Sequence, residues 1–79
     1  MHFTIEDRTY SIQIASDIIR NGLGAELWDF HKNIMLIEIF RNDSKKKIEF
    51  FAENVDIPLR AVELLIKEFE KSVGRDFQE

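Results

Sequence analysis

The sequence predicts an α+β fold: an antiparallel sheet of about five strands in the order ββ-turn-βββα, with a C-terminal helix packed on one face. Two observations carry this. Apolar residues recur with period two up to the only proline, Pro58, and with a helical period beyond it. The polar interruptions between alternating stretches are short and rich in turn formers, as antiparallel hairpins need. A length of 79 residues makes a single domain, residues 1–79, with no internal repeat and no linker-like tract.

The first hairpin is read from Phe3 and Ile5, which alternate with His2, Thr4 and Glu6, and from Tyr10, Ile12 and Ile14, which alternate with Ser11 and Gln13. Glu6 to Thr9 forms its turn. Ser16 to Gly22 reads as one helical turn or a wide bend, with Ser16 as N-cap and Gly22 in a left-handed C-terminal position. Three further strands follow, 25–30, 34–41 and 47–53, joined by His31-Lys32-Asn33 and by Asn42 to Lys46. The helix runs from about Pro58 to Val73. Pro58 suits its first turn and Gly74 its end. Leu59, Val62, Leu65, Ile66, Phe69 and Val73 share an arc of roughly 120°, predicted to face the core, while Leu64 falls on the polar side.

A four-residue loop from Asn42 to Lys45 sets Ile39 opposite Ile48, Ile37 opposite Phe50 and Met35 opposite Ala52, an apolar bed for the helix. The other face then holds Ile34, Leu36, Glu38 and Phe40 beside Lys47, Glu49 and Phe51, with Glu26, Trp28 and Phe30 from the preceding strand. Solvated sheet faces are not normally so aromatic. Either Ile18 and Ile19 fold back over it, or a partner covers it. Two isoleucines are small cover for Trp28, Phe40 and Phe51 together, so the partner is favoured. Trp28, Leu36, Phe40 and Phe51 are the candidate anchors, with Glu38 and Glu49 setting specificity.

Composition excludes several classes. Cys 0 removes disulfides and thiolate metal sites, and His2 and His31 lie on separate elements, so no metal or cofactor is expected. A net charge of −4 argues against nucleic acid, although Lys45-Lys46-Lys47 with Arg41 makes one basic cluster near Phe40 and Phe51. No apolar run is long enough to span a membrane and no signal segment is visible, which points to the cytoplasm. Gly22-Leu23-Gly24 has Leu27 where a phosphate loop needs its third glycine, and no serine stands in a nucleophile elbow. Glu38 opposite Glu49, with Glu26 close by, is either an acid/base pair, a stripe neutralised by Lys47, Arg20 or Arg41, or a receptor for a basic partner.

The spelling Gly22-Leu-Gly-Ala-Glu-Leu-Trp-Asp, Glu38-Ile-Phe-Arg and Asp56-Ile-Pro-Leu resembles small uncharacterised bacterial proteins with a GLGxELWD … ExFR … DxPL pattern before a C-terminal helix. The resemblance implies the same element order over residues 3–73 and nothing about activity, cofactor or partner. The open, aromatic sheet face sets the expectation: a non-enzymatic, cytoplasmic protein-interaction module that homodimerises through that face. Two alternatives remain: a small acidic inhibitor or immunity-type protein masking a basic target, and a small enzyme or ligand binder using the glutamate-rich face.

Overall fold

A computed structural model describes residues 1–53 and 56–78. Five strands, β1 (His2–Ile5), β2 (Arg8–Asp17), β3 (Gly22–Asp29), β4 (Ile34–Asn42) and β5 (Lys47–Ala52), precede one helix, α1 (Leu59–Ser72). The strands pair antiparallel in sequence order, so β1 and β5 are the two edges.

The last three hairpins use one loop design. Each strand ends in Asp or Asn (Asp17, Asp29, Asn42), whose side-chain oxygen accepts the N–H three residues on, at 3.1 Å from Arg20, 2.9 Å from Lys32 and 3.0 Å from Lys45. Four loop residues follow, and the last of them, Asn21, Asn33 or Lys46, takes a left-handed φ of 55–57°. The same [DN]-x-x-[RK]-[NK] spelling thus recurs at residues 17, 29 and 42. That corrects two expectations. Ser16 to Gly22 is no helical turn: β2 continues to Asp17 and β3 starts at Gly22, and the left-handed residue is Asn21. The β4–β5 loop is Asp43–Lys46, one residue later than expected, so Ile39 faces Phe50 and Ile37 faces Ala52. A slip of two preserves which face each residue is on but changes every cross-strand partner.

Tyr10, Ile12, Ala25, Leu27, Ile37 and Ile39 form the core with Ala61, Leu65 and Phe69 of α1. The buried stripe of the helix is centred on Leu65, rotated roughly 60° from the predicted arc on a 100° wheel. Leu64 therefore packs on the core, while Leu59 and Ile66 are exposed. Ala61 and Ala25, both fully buried, are the small side chains at this layer. The helix ends as its sequence predicts, at Gly74 with φ +80°, whose N–H bonds the Phe69 carbonyl at 2.8 Å. Arg41 adds a cation at this end, donating to the Val73 carbonyl at 2.6 Å while paired with Asp43 at 2.9 Å. The Asp43 carboxylate also accepts the Gln78 N–H at 3.0 Å, pinning the tail to the last hairpin.

Between β3 and β4 the register jumps: Leu27 faces Ile37 but Trp28 faces Met35. Leu36 is the extra residue of this bulge. It joins the core beside Ile37 instead of lying on the second face, and Met35 moves across to sit opposite Trp28.

Candidate functional site

Cross-strand registers line up the second face in rows. Ser11, Trp28 and Met35 form one; Gln13, Glu26, Glu38 and Phe51 the next; then Ala15, Gly24, Phe40 and Glu49; and finally Asp17, Gly22, Asn42 and Lys47. Part of the aromatic surface predicted there is closed from within the chain: Phe40 is buried, Trp28 is half-buried, and Phe30 and Phe51 stay exposed.

The closure begins at the β2–β3 loop. Asp17 accepts the backbone N–H of Ile19 and Arg20 and pairs with the Arg20 Nε at 2.6 Å. The guanidinium so anchored reaches back over the sheet. Its Nη1 and Nη2 donate to both oxygens of Glu38, at 3.0 and 2.8 Å, a two-pronged pairing that fixes its plane. The same group lies 3.8 Å above the Phe40 ring. Below, Phe40 rests on Gly22 and Gly24: a Cβ at Gly22 would stand 2.6 Å from the ring and 2.0 Å from the Arg41 carbonyl, and one at Gly24 3.0 Å from the ring. Phe40 is consequently 1% exposed. The two carboxylates raise the Arg20 pKa above its ordinary value, Glu38 contributing most, and Arg20 in turn lowers that of Asp17.

Ile18 and Ile19, at the tip of this loop, do not fold over the face; they are 93% and 97% exposed. Nor does Glu38 oppose Glu49. Glu38 lies between Glu26 and Phe51, and Glu49 faces Phe40 while accepting from Asn42 at 3.2 Å, with Lys47 3.7 Å away. Glu26 accepts the Trp28 indole N–H at 3.0 Å. Among the described residues no buried side-chain N or O lacks a hydrogen-bond partner, and no three His, Asp or Glu side chains cluster as metal ligands would. The basic cluster is also divided, because Arg41 is buried against Asp43 and Val73 while Lys45, Lys46 and Lys47 remain outside.

Of the six predicted partner-binding residues, then, the structure buries Leu36, Glu38 and Phe40, half-buries Trp28 and Glu49, and leaves Phe51 50% exposed. Phe51 has a neighbour that the sequence pattern assigns to the helix bed. Phe50, on the opposite face of β5, is 61% exposed because α1 packs over β2 and β3. At this end of the sheet the open surface is thus an edge strand with an aromatic ring on each side, while Phe30 and Ile34 are exposed at the other end. Arg20 was visible in the sequence only as one of three cations able to neutralise the stripe.

No family model, curated protein or solved structure matches this chain. Among the described residues no helix is long and apolar enough to cross a membrane.

Proposed function

We propose that this chain is a non-enzymatic, cytoplasmic protein-binding module whose contact surface is strand β5, with Phe50 and Phe51 as its anchors and Glu49, on the Phe51 face, as a specificity element. One observation carries the reading: two consecutive phenylalanines, 61% and 50% exposed, stand on an edge strand of a sheet whose other aromatic residue of that end, Phe40, is sealed. Exposed aromatic anchors beside unpaired backbone are features that protein interfaces use. The acidic readings gain no support of this kind, since Glu26, Glu38 and Glu49 each accept a hydrogen bond from a side chain of the same chain. Absence of cysteine fits a reducing compartment.

A photoreactive phenylalanine analogue tests the surface directly. Placed at position 51 and irradiated in cells, it is expected to give a discrete adduct with a protein, either the chain itself or another. The same analogue at Ile18, more accessible still but outside the strip, is expected to give none. A chain that forms no adduct from position 51 overturns the proposal.

A further inference from the structure

We infer that the partner of β5 is a second copy of this chain, joined edge to edge, antiparallel and centred on Phe50, so that two five-stranded sheets become one. The inference rests on the protein-binding reading and names its partner.

The backbone sets the pairing pattern. The Glu53 N–H bonds the Leu36 carbonyl at 2.9 Å, so alternation directs the N–H and C=O of Lys47, Glu49 and Phe51 toward β4. Those of Ile48, Phe50 and Ala52 point outward, and among the described residues no other backbone group bonds them. The other edge, β1, has only four residues. A second β5 presents the same three outward positions in reverse, which is what an antiparallel ladder needs.

Side chains then choose the register. Centring on Phe50 sets Phe50 on its own copy and Ile48 against Ala52 on the helix side of the sheet. On the other side Glu49 meets Phe51, and Lys47 meets Glu53, a charge pair made twice by the two-fold symmetry. Moving the centre to Glu49 places that carboxylate on its own copy. Moving it to Phe51 places Glu49 against Glu53. Both alternatives set like charges opposite each other, and registers further out pair at most one of the three outward positions. Lys47 is free to make the new pair: its side chain is 57% exposed and its contact with Glu49 is long, at 3.7 Å. Charge complementarity thus selects both the occupant and the alignment.

Sedimentation of the full chain over a concentration series tests this with Lys47→Glu, Glu53→Lys and the double exchange. The wild type is expected to dimerise, each single exchange to weaken the dimer on the order of tenfold or more, and the double exchange to recover most of the loss. Amide exchange on the wild type is a second readout that needs no variant: Phe50 and Ala52 are expected to slow as concentration rises, and Phe51 is not. A chain that stays monomeric at the highest concentration, or a dimer indifferent to either single exchange, overturns the inference. If the monomeric chain still labels another protein from position 51, self-pairing falls and the protein-binding reading stands. If it labels nothing, both fall.

Discussion

Phe40 and Phe51 stand one strand apart on the same sheet face, and their fates differ completely. Phe40 lies in a groove made by two glycines on β3 and is roofed by the Arg20 guanidinium, itself held by Asp17 and Glu38. Phe51 has β4 on one side and a bare strand edge on the other, and half of it faces solvent. An aromatic residue on an uncovered face does not by itself mark an interface. A long cation over a glycine-backed ring closes such a face with no second layer, provided the cation has carboxylates to fix it. What remains open after that closure is the informative surface, and here it is β5.

Truncation separates the two rings most sharply. Phe40→Ala is expected to cost ~3–5 kcal/mol of unfolding free energy, the range for a fully buried phenylalanine, whereas Phe51→Ala costs about 1 kcal/mol or less. Urea titrations at low protein concentration, where association adds nothing, measure both. Equal losses would mean that the roof over Phe40 contributes little to its burial.

A smaller effect isolates the roof. Arg20→Ala uncovers the ring and leaves the nearly buried Glu38 carboxylate without its paired donors, with an expected cost of ~1–2 kcal/mol, moderated because Arg20 is itself partly solvated. Adding Glu38→Gln is expected to recover part of the loss, since a neutral amide is cheaper to leave unpaired. A double variant no better than the single one would place the cost in the lost ring contact.

Strand order and the single helix were legible because period-two and helical alternation are direct consequences of a half-buried sheet and a one-sided helix. The face assignments of Glu38, Phe40, Glu49 and Phe51 were legible for the same reason, and survived a loop misplaced by one residue. Cross-strand partners were not. They depend on which residue takes the left-handed loop position, and Lys46 does so without a glycine to announce it. The bulge at Leu36 was silent too, because an extra apolar residue in an apolar run leaves the alternation looking intact. Gly22 and Gly24 read as chain punctuation; their role as a seat for Phe40 needs the register. Burial of Phe40 likewise needed a contact between residues twenty apart in the chain.

Acid gives the finest test of the contrast between the closed and open ends of the face. Asp17 holds two loop amides and Arg20, and these contacts keep its carboxyl below its ordinary value of 3.8, with the Arg20 side-chain bond the largest cause. A depressed folded-state value means that the contribution is complete above the unfolded value and is lost as pH falls through it toward the folded one. The roof over Phe40 is therefore expected to loosen below pH ~4, seen as faster amide exchange at Ile19 and Arg20 and as shifts of the Phe40 ring resonances. Asp17→Asn keeps an oxygen acceptor for the loop but abolishes the charge, so it is expected to show the loosened signals already at neutral pH and to reduce their acid dependence to what the Glu38 contact leaves. Phe51 and the outward amides of β5 make no contact with Asp17, and their local exchange is expected to stay level through the same range once self-association is diluted away. Parallel changes at both ends would mean that the roof and the edge open as one unit, and that Arg20 supports the strand that binds as well as the ring it covers.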